Sequence, residues 1–189
     1  MGKTKHSYDK EVLKKEPFLE MHRCFARSLQ DLRNLKKETR KHLHKWELEN
    51  YLIKKYIKYL GKKTPVQLEI RWISPTMGNG VFVMEPLKKG AFICEYTGLI
   101  THEKKIDPSN RYVFNLTVGD DETGYVIDAR YSGNVARTIN HSDKPNVEAV
   151  TVFIENQPRV IYTAARNIKP GEELFVDYGE DYWHKWTKS

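Results

Sequence analysis

Cysteine is nearly absent from this chain of 189 residues, which has only Cys24 and Cys94. Two thiols exclude a disulfide-stapled framework and a four-cysteine zinc site, and they favour a reducing compartment. No stretch reaches the roughly 18 consecutive apolar residues of a membrane-spanning helix. The Met1-Gly2-Lys3-Thr4-Lys5 start also lacks the apolar run of a secretory signal. A soluble protein with no membrane contact is therefore expected, and internal repeats and low-complexity segments are missing too. Two full domains would be crowded at this length, which suits one domain with a real core plus an appendage.

The chain does have positive charge: 32 basic against 25 acidic residues, a formal net charge of +7. The pairs Lys14-Lys15, Lys36-Lys37, Arg40-Lys41, Lys54-Lys55 and Lys62-Lys63 crowd its first third. A solvated helix face is the simpler account of such pairs, and a nucleic-acid footprint is the alternative.

Two periodicities divide the chain. Over 1–64 the apolar positions Phe18, Met21, Phe25, Leu29, Leu32, Leu35, Leu43 and Trp46 follow helical spacing, with Pro17 suited to a first turn. A second burst from Tyr51 to Leu60 ends at Gly61, a candidate cap. This lysine-rich segment reads as two helices whose stripe packs on the following domain, with a homodimer as the alternative. Over 65–189 the texture changes to short β-branched and aromatic runs broken by Gly and Pro. Strands are predicted at 66–73, 80–84, 92–95, 112–118, 125–128, 147–154, 160–165 and 174–177, and a helical turn at 134–139. The fold class is mostly β, with several small sheets after a helical N-terminal segment.

Three short motifs stand out: Arg137-Thr138-Ile139-Asn140-His141-Ser142, Lys144-Pro145-Asn146, and Glu173-Leu174-Phe175-Val176-Asp177-Tyr178. Upstream, Met77-Gly78-Asn79-Gly80-Val81 leads through Lys89-Gly90 into Glu95-Tyr96-Thr97-Gly98. Taken singly each has a plain explanation. Gly78 and Gly80 suit a hairpin turn, Asn140 a turn cap, His141 a satisfied core position, and Tyr178 a packed strand end. Together and in this order, from about residue 69 to 186, they resemble the SET domain of protein lysine methyltransferases.

The resemblance implies a SET fold with a pseudoknot and S-adenosylmethionine as cofactor, with no metal. It assigns cofactor binding to Gly78, Asn79, Gly80, Arg137, Asn140, His141, Tyr178 and Trp183. The substrate lysine channel falls to Tyr96, Tyr112, Val176 and Tyr178, and catalysis to Tyr178 with Tyr96. In this scheme the Asn140 side-chain oxygen receives the cofactor ammonium and the His141 backbone reads the adenine. Arg137 is also open to a structural role, paired with Glu173 or Asp177. Methyl transfer to an amine needs alignment and a neutral amine, which aromatic walls promote by desolvation.

Departures from the family pattern narrow the resemblance. No cysteine clusters flank the core, Thr138 stands where phenylalanine is common, and Val176 stands where an aromatic often limits methyl number. The aromatic tail holds Tyr182, Trp183 and Trp186. The compact form is similar to small SET proteins of chlamydia-related bacteria and, more distantly, of viruses. That implies a histone or histone-like tail as substrate, nucleosome or DNA contact through the basic helices, and a host nucleus as location if secreted or the cytoplasm otherwise. The competing readings are a methyltransferase of a non-histone protein, a catalytically silent SET fold used as a binding module, and a nucleic-acid-binding protein.

Overall fold

Runs of Val, Ile, Phe and Tyr after Pro65 pair into short antiparallel ladders, as pleated, half-buried surfaces favour. A computed structural model of the chain describes residues 19–20, 24–42, 54–118, 121–154, 157–179 and 182. In chain order the elements begin with β1 (Leu19–Glu20), β2 (Phe25–Ala26) and α1 (Leu29–His42). The hairpin β3 (Leu68–Ser74) and β4 (Gly78–Val83) follows, then β5 (Phe92–Tyr96), β6 (Leu99–His102), β7 (Val113–Val118) and β8 (Asp121–Asp128). The remainder are β9 (Ser132–Gly133), a 3₁₀ turn (Val135–Thr138), β10 (Asn140–His141), β11 (Val147–Ile154), β12 (Gln157–Ala164) and β13 (Phe175–Val176). One sheet has the order β10-β13-β11-β12-β5 and another β2-β6-β8-β7, while β3-β4 and β1-β9 form two-stranded pairs. Ile93, Ile100, Ile127, Val81 and Leu174 are among the fully buried side chains between them.

The N-terminal segment differs from the helix expected from Phe18. Helix α1 starts only at Leu29, because Ser28 caps it: its hydroxyl accepts the Asp31 N–H at 3.0 Å and donates to Asp31 Oδ2 at 2.9 Å. Upstream, the Phe25 and Arg27 N–H groups are taken by the carbonyls of Gly98 and Ile100 at 3.2 and 2.8 Å. Leu29, counted in the apolar stripe, is 74% exposed. Leu35 of the same stripe is fully buried, and with Asp31 and Thr39, spaced four apart, it makes the face that α1 lays against β6, β8 and β12. Burial alone would raise the Asp31 carboxyl, but bonds from Lys105 and Ser28 outweigh it and hold the group below the usual carboxylate range. The Lys105 ammonium sits 2.9 Å away, fastening α1 to the turn after β6.

Residues Met21, Leu43 and Trp46 lie outside the described residues. Of the second predicted helix, 54–60 falls among the described residues, where 54–56 is helical and 57–60 a turn that Gly61 ends at φ +70. Its aromatics pack on the domain: Tyr59 stacks on Phe92 at 4.8 Å, and the Tyr56 hydroxyl donates to the Gly90 carbonyl at 2.9 Å. Beneath this strap, buried Glu95 accepts the Gly61 N–H at 3.0 Å and forms a two-point ion pair with Arg159.

The pseudoknot is visible in the strand order. β13 lies between β10 and β11, parallel to both, although some 30 residues separate it from β10. Asn146 secures the insertion. Its Nδ2 donates to the Glu173 carbonyl at 2.7 Å, its Oδ1 accepts the Phe175 N–H at 2.8 Å, and its own N–H reaches the Phe175 carbonyl at 3.1 Å. At 2% exposure, no water can replace those partners. Asn146→Ala is therefore expected to cost about 2–4 kcal/mol of unfolding free energy, since two buried backbone groups lose their bonds. Urea denaturation measures this, and an unchanged midpoint would show that β10 and β11 hold the strand without the amide.

Candidate active site

A cavity of about 770 Å³ opens where the β3–β4 turn, β5, β7, the 3₁₀ turn, β10 and the segment after β13 converge. Gly78, Asn79, Tyr96, Tyr112, Arg137, Asn140, His141 and Tyr178 all line it. A chain that spreads these residues over a hundred positions thus brings them to one wall. Val176 and Gly80 are not on that wall. Val176, expected in the lysine channel, is 2% exposed and packs in the core, because the β13 alternation turns it inward. Trp183 lies outside the described residues.

Asn140 is held from two sides. Its Nδ2 donates to the Asn79 carbonyl and to Glu173 Oε1, each at 3.0 Å. Both amide hydrogens are thereby used, which fixes the amide's orientation and leaves Oδ1 with no donor among the described residues. Glu173, not predicted for the site, reaches Asn140 only because Gly80 has no side chain. A Cβ at Gly80 would come 2.2 Å from Glu173 Oε1. Gly78 serves differently: its φ of +72 turns the chain, and nothing stands within 4 Å of where its Cβ would lie.

Arg137 takes neither Glu173 nor Asp177 as partner. Its guanidinium donates to the Ala129 carbonyl at 2.7 Å and to the Arg130 carbonyl, and it lies 4.2 Å over the Tyr112 ring. It braces the loop and the tyrosine wall together. The 3₁₀ turn bearing it is capped by Asn134, whose Oδ1 accepts the Ala136 N–H at 3.1 Å while Nδ2 donates to the Glu95 carbonyl at 2.6 Å.

His141 holds the chain that carries Tyr178. The Tyr178 N–H donates to Nδ1 at 3.2 Å, so that nitrogen is bare and the ring proton sits on Nε2, 3.1 Å from Asp143 Oδ1. The Tyr178 hydroxyl donates to the Ile139 carbonyl at 2.9 Å. Burial, reinforced by Tyr182 and Tyr112, pushes its phenol well above the ordinary tyrosine value. Tyr96 is raised likewise, by burial and then by Tyr178.

Sequence reasoning missed Tyr162 and Phe114. Tyr162 faces Cys94 across the β5–β12 ladder, diagonal to Tyr96, with ring centroids 6.0 Å apart; Phe114 is 5.4 Å from Tyr96. Burial, then Tyr96, raises the Tyr162 phenol as well. An aromatic inside the aliphatic run of β12 was the available signal. Tyr182 closes the same side, 4.6 Å from the Tyr178 ring.

The family model of the SET domain matches residues 78–179, more than half of the chain. The chain belongs to the SET-domain family. This SET domain is similar to the histone-lysine N-methyltransferase EHMT1 of Homo sapiens, 41% identical over 113 residues that make up 57% of this chain and 9% of that protein. It is 35% identical over 113 residues to the histone-lysine N-methyltransferase SUV39H1 of Xenopus laevis, covering 53% of this chain and 26% of that one. Among solved structures it resembles KRYPTONITE in complex with mCHH DNA, H3(1-15) peptide and SAH, with 34% identity and a TM-score of 0.53 over 62% of this chain and 24% of that chain. The matched part of this SET domain thus spans between 9% and 26% of these relatives' lengths.

The Gly80, Glu173 and Asn140 arrangement makes a separable test. Gly80→Ala is expected to cost about 1–3 kcal/mol through overpacking against the carboxylate. Adding Glu173→Ala should recover part of that loss, so the double variant costs less than the sum of the singles. Additive losses in thermal denaturation would mean that the two positions do not touch.

Proposed function

We propose that this SET domain is a protein-lysine N-methyltransferase that uses S-adenosylmethionine. One observation carries the proposal: the Asn140 amide has both hydrogens engaged and its oxygen without a donor among the described residues, on the same cavity as the fixed Tyr178 hydroxyl. An open carbonyl oxygen of that kind accepts from an ammonium, such as that of an amino-acid cofactor. The cavity volume suits a nucleoside-sized ligand with room for a narrow side chain beside it, within the roughly 300–1,000 Å³ of ligand sites. Asn140, the Gly78-Asn79 turn and the backbone at His141 would hold the cofactor. S-adenosylmethionine supplies a methyl group on a sulfonium, ready for in-line displacement by an amine.

The chain's own residues prepare that amine. Tyr178 is no general base: its proton is committed to the Ile139 carbonyl, and burial keeps the phenol neutral. A neutral phenol held this way can act toward polarised groups at the reacting centre only as an acceptor. Tyr96, Phe114, Tyr162 and Tyr112 form a channel wall that strips water from an entering lysine and lowers its pKa, so its proton leaves to solvent before transfer. Alignment in this slot, in place of acid–base chemistry, supplies the rate.

The relatives' names support a reading of the substrate class. EHMT1 and SUV39H1 are named for histone lysine, and the KRYPTONITE structure contains an H3(1-15) peptide and SAH. We assign this enzyme a histone or histone-like tail. Its two cysteines support the short subtype without zinc-binding flanks, as in chlamydia-related bacteria. On that reading it acts in a host nucleus as a secreted effector, or on histone-like protein in the cytoplasm.

Incubation with labelled S-adenosylmethionine and a panel of core histones, nucleosomes and bacterial histone-like proteins, read by mass spectrometry, tests the proposal. Label on a lysine is expected, and Tyr178→Phe should lower turnover roughly a hundredfold while sparing cofactor affinity. Label confined to other proteins would move the substrate outside the histone class. Asn140→Ala should weaken S-adenosylmethionine binding by about 2–4 kcal/mol in calorimetry; equal affinity would remove Asn140 from the cofactor site. The pH profile offers a further check. A raised phenol stays neutral beyond the ordinary value of 10.0, so turnover should climb with pH as lysine loses its proton and show no tyrosine-linked fall by pH 10.0. A decline below that value would assign Tyr178 an ionised role.

A further inference from the structure

Away from the cavity, three lysine-bearing segments are joined edge to edge. Residues 54–63 hold five lysines and no acid. Tyr56 ties this strap to Gly90, and Lys55 Nζ lies only 3.2 Å from where a side chain at Gly90 would begin, next to Lys88 and Lys89. The Lys88-Lys89 turn is in turn fastened to the turn at 166–169. The Lys89 N–H donates to Asn167 Oδ1 at 2.9 Å, and Leu87 and Ile168 exchange backbone bonds at 2.9 Å.

The acids nearby are already committed. Glu172 is paired with Arg166 at 2.7 Å and caps the Lys169 N–H, while Glu85 accepts the Gln67 N–H. Glu95 lies buried beneath, bound to Arg159. Lys54, Lys58, Lys62, Lys63, Lys88 and Lys89 are all exposed, and none has a carboxylate within 4.0 Å among the described residues. None of them lines the cavity. A concentration of unneutralised ammonium groups on a fixed scaffold raises the folded state's self-repulsion, which a polyanion relieves.

We infer that this surface binds the phosphate backbone of duplex DNA, holding the enzyme on nucleic acid while its cavity takes a tail bound to the same duplex. The inference adds a partner to the reaction proposed above, and its first measurement stands without that reaction. Lysine dominates the surface, and a lysine ammonium is a hydrated point charge with no preferred plane, suited to phosphates at any register. Ile57 is the one large apolar side chain exposed in residues 54–63, which gives a bilayer or an apolar partner little to bury. Contacts of this kind position the protein without reading sequence.

The test uses the full chain and a short mixed-sequence DNA duplex, followed by fluorescence anisotropy between about 50 and 200 mM salt. Binding is expected with a slope of log affinity against log salt of about −4 to −5, for about five phosphates neutralised. Replacing Lys58, Lys62, Lys88 and Lys89 by alanine should flatten the slope by about one per lysine and weaken binding about a hundredfold at low salt. Lys37→Ala with Arg40→Ala, exposed on α1, should change it little. An equal melting temperature separates lost contacts from lost folding. No duplex binding, equal loss in the α1 control, or equal affinity for polyglutamate or anionic vesicles would each overturn the inference. Methylation assays then extend the result: the four-lysine variant should keep its rate on a free histone peptide and lose rate on nucleosomes. Absence of methyl transfer in every sample would count against the proposed reaction and leave the DNA measurement standing.

Discussion

The segment 171–178 is the constraint on which the site depends, because it answers to two sheets at once. Its first half runs along β4, with the Gly171 and Leu174 N–H groups bonded to the Val83 and Val81 carbonyls at 2.7 Å. Its second half lies between β10 and β11, fixed by the Asn146 amide. One stretch of backbone therefore sets the distance between the β3–β4 turn and Asn140. Glu173 sits at the crossover, bonding Asn140 through its side chain and Asn146 through its carbonyl. A displacement of this strand would move the Tyr178 hydroxyl and the Asn140 amide together.

This arrangement explains why the site's polar groups are so closely committed. Asn140 spends both hydrogens on structure and presents an acceptor to a ligand; Tyr178 spends its hydrogen on the Ile139 carbonyl. Groups satisfied in this way need no reorganisation when a ligand arrives, and preorganised polarity is where catalytic stabilisation is greatest. The aromatic side is held differently, by ring contacts among Tyr96, Phe114 and Tyr162 on β5, β7 and β12.

Much of this was legible in the sequence where local chemistry and tertiary structure agree. The 147–154 strand matches its predicted bounds, and the 134–139 turn appears as a capped 3₁₀ turn. The motif residues Asn140, His141 and Tyr178 reach one cavity. What was hidden depends on distant partners. β9 and β10 are two residues long, too short for a period of two to register, and exist only because β1 and β13 pair with them. The stripe read from Phe18 overlooked the Ser28 cap and the pull of β6 on Phe25. Gly80 was read as a turn residue, while its need for glycine comes from Glu173, far away in sequence.

The pairing of β2 with β6 has a consequence for the solution behaviour of the molecule. β6 would otherwise be the outer member of its sheet, presenting unpaired N–H and C=O groups to solvent. An uncovered edge of that kind is a template for intermolecular strand addition. The residues around Phe25 thus act as a guard against self-association, and a chain trimmed to begin at residue 65 would keep every residue that lines the cavity yet leave the β6 edge without its cover.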